Sequence, residues 1–188
     1  MTEFELSRDY QFGRIGEGVI ARWFRCRGHA VLPVYEKEIS DGKGPRLFMP
    51  KGQLIAPDMA IFLSKMVSPD MRVMFVEAKR KSAFTQLRKA NRYGVCGAWQ
   101  TGIDERHYED YCKVETQTGV PVWLLFLQEG GQAKDSPPDS PSGLYGQALS
   151  ALKEKIDHRH PNPPPRFKPM VYWNINDLAL LATLEELQ

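Results

Sequence analysis

Cysteine is scarce in this chain of 188 residues: Cys26, Cys96 and Cys112 are odd in number, far apart and never in a Cys-x-x-Cys pair. That pattern argues against a disulfide framework or a structural zinc site and predicts reduced, mostly buried thiols. Long apolar runs are missing too. None approaches the length of a membrane span, and Met1 to Asp9 is charged where a signal peptide needs an apolar core. The expectation is a soluble, cytoplasmic protein with no membrane partner. No internal repeat is visible, and a net charge of +2 is too small to diagnose a partner. What is present is ordinary globular composition, 42% apolar and 26% charged, in a length that suits one domain over 1–188.

From Phe12 to Cys26 apolar residues recur at helical spacing, with Arg14, Arg22 and Arg25 opposite, so an amphipathic first helix is predicted, closed by Gly28. At about 100° per residue, Glu17 falls on the flank of the apolar stripe, where its carboxylate can face a sheet margin. His29 to Tyr35 reads as a first strand. Thr101 and Asp104 resemble a capping box opening a second helix, Ile103 to Thr118, with His107 and Tyr111 on its inner side. Val120 to Leu127 is apolar on both faces, as a central strand of a covered sheet is. A polar stretch at 129–143 predicts a mobile excursion. A third helix is expected after Ser142, a Pro-rich basic loop at 158–169, a strand at Met170 to Asn174, and a terminal leucine-rich helix capped by Asn176. This order gives an α/β fold with a mixed central sheet flanked by helices.

The most informative feature is a pair of apolar runs, Leu54 to Leu63 and Arg72 to Lys79, each carrying ionisable residues. A hairpin about the Val67-Ser68 midpoint, within the turn-like stretch from Lys65 to Asp70, puts Asp58 directly opposite Glu77. Opposed cross-strand residues have Cβ atoms about 5 Å apart, where like charges repel. Two carboxylates so placed call for a cation, and hard divalent ions are held by one or two carboxylates plus phosphate oxygens. Period 2 also projects Glu77 and Lys79 from one face. From Lys79 to Arg92 there are six basic residues, Lys79, Arg80, Lys81, Arg88, Lys89 and Arg92, and no acidic one. Clustered cations are what a polyphosphate backbone selects. Lys43, Arg46 and Lys51, in the link before Asp58, can reach a DNA groove or form a solvated hairpin tip.

Glu17 on a helix, Pro57-Asp58 on one strand and Glu77-Ala78-Lys79 on the next, followed by a helix and a buried strand, resemble the PD-(D/E)XK nuclease superfamily over about Arg8 to Leu127. The later segment, with Tyr145-Gly146-Gln147 and Met170-Val171-Tyr172-Trp173, is similar to the C-terminal half of small phage-type members, including Holliday junction resolvase-like ones. The resemblance implies a restriction-endonuclease-like αβββαβ core with C-terminal additions. It implies a Mg-dependent deoxyribonuclease, an endonuclease, with Mn²⁺ able to substitute. Asp58, Glu77 and the Ala78 carbonyl would hold the metal, Glu17 would bind a second metal or its water shell, and Lys79 would orient the attacking water. DNA is the implied partner, and a homodimer is left open.

Two rival readings stand beside it: a catalytically silent nucleic-acid-binding module on the same fold, or a nuclease specific for junctions or RNA. The Gln-x-x-x-Tyr signature of exonuclease-like members is absent after the Glu-x-Lys, since Tyr93 stands seven residues beyond Gln86. His107 reads as a hydrogen-bonded core histidine. Cys26 with His29, and His158 with His160, lack the remaining ligands for zinc. Trp99 reads as core, or as a stacking platform for a base.

Overall fold

The structure, a computed structural model, describes residues 8–34, 45–64, 72–81, 99–130, 139–160 and 168–188. Helix α1 (Arg8–Cys26) buries Ile20 and Phe24, and Gly28 closes it at φ +79°, its N–H donating to the Arg25 carbonyl. That left-handed turn favours a residue without Cβ. Then come β1 (Ala30–Pro33), β2 (Arg46–Met49), β3 (Gly52–Ile55), β4 (Met59–Phe62) and β5 (Val73–Lys81). Next are β6 (Gln100–Asp104), α2 (Glu105–Thr118), β7 (Val122–Glu129), β8 (Ser142–Ala148) and α3 (Leu149–Leu152). Last among the strands are β9 (His158–His160), β10 (Met170–Asn174) and β11 (Ala179–Ala182), and a 3-10 turn, Glu185–Leu187, follows them.

Six strands form the central sheet in the order β1-β4-β5-β7-β8-β11. It is mixed: β5 and β7 run parallel, joined through α2, while the other neighbours are antiparallel. Helices cover both faces. On one, α1 packs through Ile20 and Phe24 against Met59, Ile61, Val76, Ala78, Leu125 and Leu127. On the other, Tyr111 and Val114 of α2 meet Val122, Leu124 and Phe126. Alternate residues of β7 thus serve opposite cores, which is why that strand is apolar from Val122 to Leu127. Among the described residues the other strands form a three-stranded sheet, β6-β10-β9, and the β2-β3 hairpin.

The pairing of β4 with β5 follows the mirrored register: Met59 opposes Val76, Ala60 opposes Phe75, Ile61 opposes Met74 and Phe62 opposes Val73. Extending it by one residue sets Asp58 against Glu77.

Elsewhere the elements depart from expectation. The run from Leu54 to Leu63 is two strands, because Pro57 has no N–H for a ladder and Ala56 donates instead to the Pro45 carbonyl at 2.9 Å. The second helix starts at Glu105, since Gln100 to Asp104 pair with β10, and Asp104 makes no side-chain cap. The expected third helix is mostly strand: Ser142 to Ala148 pair with β7, leaving only α3 and a short 3-10 turn. The terminal leucine-rich segment likewise pairs with β8 as β11. Glu129 opposes Ser142, so the polar stretch between them links two neighbouring strands; its residues 131–138 lie outside the described ones. The basic loop at 158–169 begins as β9, paired with β10. Cys26 is exposed and Cys112 half-buried, against the expectation of mostly buried thiols. Among the described residues no helix is long and apolar enough to cross a membrane.

Candidate active site

Glu77 lies near the middle of β5 and is 1% exposed, on the face that α2 covers. Lys79, two residues on, emerges from the same face, and its ammonium forms an ion pair with Glu77 Oε1. The lysine side chain is 39% exposed, so it stands at the mouth while Glu77 forms the floor. Asp58 enters from the residue before β4. Its Oδ2 accepts the Ala78 N–H at 2.8 Å, which ties the aspartate to the strand carrying the other two groups. Glu17 comes from α1, held by Arg14 Nη1 at 2.7 Å, and its charge acts on both Asp58 and Lys79. The structure therefore brings Glu17, Asp58, Glu77, Ala78 and Lys79 into one neighbourhood.

The electrostatics divide the two central acids. Burial, and then the Glu77 charge beside it, push the Asp58 carboxyl well above the usual carboxylate range. Burial alone would raise Glu77 as well, but the Lys79 ammonium and His107 outweigh it and hold this acid at about 2. The same pairing with Glu77, joined by Asp58, overcomes desolvation of the Lys79 amine and raises it above its ordinary value. Lys79 neutralises one carboxylate, and a second positive charge is wanted at Asp58.

The basic residues fare differently. Arg80 pairs with Glu129, lies with its guanidinium carbon 3.9 Å from the Phe12 ring centroid, and has a side chain only 18% exposed. Lys81 donates to the Gln100 carbonyl. Arg46 is half-buried at the base of the β2-β3 hairpin, opposite Ile55. Lys43, Arg88, Lys89 and Arg92 lie outside the described residues. Trp99 is half-buried just before β6. His158 stacks on Tyr172, with ring centroids 4.7 Å apart.

Sequence reasoning missed the α2 contribution. Tyr111 donates its hydroxyl to Glu77 Oε2 at 2.5 Å, and His107 Nδ1 lies 3.7 Å from Glu77 Oε1. On sequence alone both residues fall on the inner face of the helix, as core. The signal available was their spacing of four, which aligns two polar tips on one stripe. Asp110 accepts the Ile55 N–H at 3.0 Å, fastening the hairpin that leads into Asp58.

Among the described residues no three His, Cys, Asp or Glu side chains gather into a ready-made metal cage. The donors at hand are the Asp58 and Glu77 oxygens, an oxygen-only set with two buried acids in mutual repulsion. That fits a hard cation such as Mg²⁺, which keeps several waters and takes one or two carboxylates, and it does not fit the closed nitrogen and sulfur shell of structural zinc.

No family model matches the chain, and no curated protein does. Among solved structures the chain is similar to Hjc, a Holliday junction resolvase of Archaeoglobus fulgidus, at 9% identity over 90% of this chain and 91% of that one, with a TM-score of 0.45. It is also similar to a nuclease from a fusselovirus, at 13% identity over 100% of this chain and 91% of that one, with a TM-score of 0.40.

Proposed function

We propose that this protein is a metal-dependent nuclease that hydrolyses phosphodiester bonds of DNA, acting as an endonuclease. The observation that carries the reading is the convergence on one sheet face of Asp58, tied to Ala78 at 2.8 Å, with the buried ion pair of Glu77 and Lys79. Asp58 and Glu77, with the Ala78 carbonyl, would hold Mg²⁺, and Glu17 would orient its water shell. When bound, such an ion polarises a phosphoryl oxygen and makes water a better nucleophile near neutral pH.

The chain's own groups do the rest. Lys79, charged and at the mouth, meets the phosphate and stabilises the negative charge that grows on its non-bridging oxygens as water adds and the bond to the leaving oxygen breaks. Glu77 fixes that ammonium from below, so little reorganisation is needed as charge develops. The burial that raises Asp58 also strengthens each of these interactions.

Purified protein with Mg²⁺ or Mn²⁺ is expected to nick plasmid DNA, and EDTA to abolish nicking. Asp58→Ala and Lys79→Ala should fold normally, by circular dichroism; Lys79→Ala should lose about 100-fold or more of the rate, the usual cost of deleting one group that stabilises transition-state charge, and Asp58→Ala, which removes a carboxylate that would hold the metal, should lose cleavage as well. Undiminished cleavage by either variant removes this assignment. Linear, circular, single-stranded, flap and four-way substrates separate a general endonuclease from a junction-specific one, and an RNA arm covers the remaining alternative.

A further inference from the structure

Glu77 has two oxygens, and α2 takes hold of one. The Tyr111 hydroxyl donates to Oε2 at 2.5 Å, and both residues are 1% exposed. Oε1 faces the Lys79 ammonium and lies 3.7 Å from His107 Nδ1. His107 sits one turn before Tyr111, with ring centroids 5.8 Å apart and Nδ1 3.5 Å from the Tyr111 hydroxyl. The Tyr111 ring also packs in the apolar cluster between α2 and the sheet. For that packing a phenyl ring would do. The hydroxyl is the part that packing does not need, and a buried hydroxyl must find an acceptor. Here it finds the floor of the site.

A carboxylate on a two-carbon stem can rotate and present either oxygen. With Oε2 engaged from α2, that freedom is removed, and Oε1 is left toward Lys79, while Asp58 lies close enough for the Glu77 charge to act on it. We propose that Tyr111 is a positioning residue for metal binding: its hydroxyl orients the Glu77 carboxylate so that Oε1 and Asp58 face a single cation. This rests on the metal-dependent reading above. The Tyr111 hydroxyl acts through Glu77, and the role belongs to its oxygen, not to its ring. Outer partners of this kind typically carry a 10-fold to 100-fold effect on metal affinity.

The test is Mn²⁺ binding to the purified chain without DNA, followed by paramagnetic resonance of the free ion. Tyr111→Phe should fold like the wild type and bind Mn²⁺ roughly 10-fold to 100-fold more weakly. A purely structural hydroxyl would shift the denaturation midpoint and leave the affinity alone, so equal affinity overturns the proposal. A second measurement needs no substitution at 111. Mg²⁺ titrated into the wild type should draw charge from Glu77, weaken the Tyr111 hydrogen bond and give a tyrosine difference absorbance that saturates with binding and is missing in Asp58→Ala. Metal binding with no such signal also overturns it. Should the wild type take up no Mn²⁺ at all, the metal-dependent reading falls first and this inference with it.

Discussion

Asp58 is held where a carboxylate is least comfortable. Burial raises it first and Glu77 second, and the Ala78 N–H with the Lys79 charge only partly offsets them. A folded state that keeps its proton to higher pH than the unfolded chain loses stability as pH climbs from the ordinary value of 3.8 toward the raised one. Glu77 has the opposite sign: held at about 2 against an ordinary 4.5, it contributes stability that is complete above 4.5 and lost as pH falls toward 2. In EDTA, Asp58→Asn keeps an acceptor for the Ala78 N–H and removes the charge. It should therefore be more stable than the wild type at pH 8, with the gap closing near pH 4. Denaturant titrations at the two pH values check this. Saturating Mg²⁺ should reverse the ranking at pH 8, since ligand at 100 times its Kd adds about 2.7 kcal/mol to a state that binds it. An Asn variant stabilised as much as the wild type by Mg²⁺ would place the cation elsewhere.

At the scale of elements, the seating of α1 on β5 decides where Glu17 arrives. Gly16 is the contact: a Cβ there would come 2.6 Å from the Arg80 Cβ, an atom fixed to the strand backbone. Replacing a helical glycine by alanine ordinarily gains about 0.5–1 kcal/mol. At Gly16 that gain is outweighed by overpacking, which costs about 1–3 kcal/mol, and the helix must lift from the strand. Gly18 is the control, because among the described residues no heavy atom lies within 4 Å of a Cβ built there. Gly18→Ala should raise the thermal midpoint and preserve nicking, while Gly16→Ala should lower both. If the two variants behave alike, α1 is not docked as described.

Element boundaries also show what sequence carries and what it does not. The β4-β5 register was legible because both strands are short apolar runs bracketing a turn-like stretch, so pairing them fixes every opposition at once. The segment from Ser142 to Ile156 was not, because its apolar residues satisfy helical spacing equally well. Its strand character is dictated from outside: Leu144 opposes Leu127, and a Cβ at Gly146 would meet Leu181 of β11 at 2.7 Å. Gly146 is thus a packing requirement set by a neighbour distant in sequence. The same holds for α2. Periodicity placed His107 and Tyr111 inward, but that their tips meet Glu77 depends on the crossover between β5 and β7.

For the whole molecule, the question is how a chain of net charge +2 attracts a polyanion. The mean field is weak, so attraction must come from local density, and the densest cationic stretch runs from Lys79 to Arg92. Three members are already engaged within the fold: Lys79 by Glu77, Arg80 by Glu129 and Phe12, and Lys81 by the Gln100 carbonyl. The sequence therefore leaves Arg88, Lys89 and Arg92 as the members to test for phosphate contact, and they begin only seven residues beyond Lys81. Each phosphate neutralised contributes about −0.9 to the slope of log affinity against log salt on duplex DNA. Arg88→Glu with Lys89→Glu should therefore weaken binding in EDTA and flatten that slope by about two units, as read by fluorescence anisotropy between 50 and 200 mM salt. Lys79→Ala, one charge removed at the mouth, should flatten it by about one while abolishing cleavage. A double reversal that leaves both affinity and slope unchanged would make this segment ordinary surface, and the DNA would have to be held by cations elsewhere, with the β2-β3 hairpin carrying Arg46 and Lys51 the next to substitute.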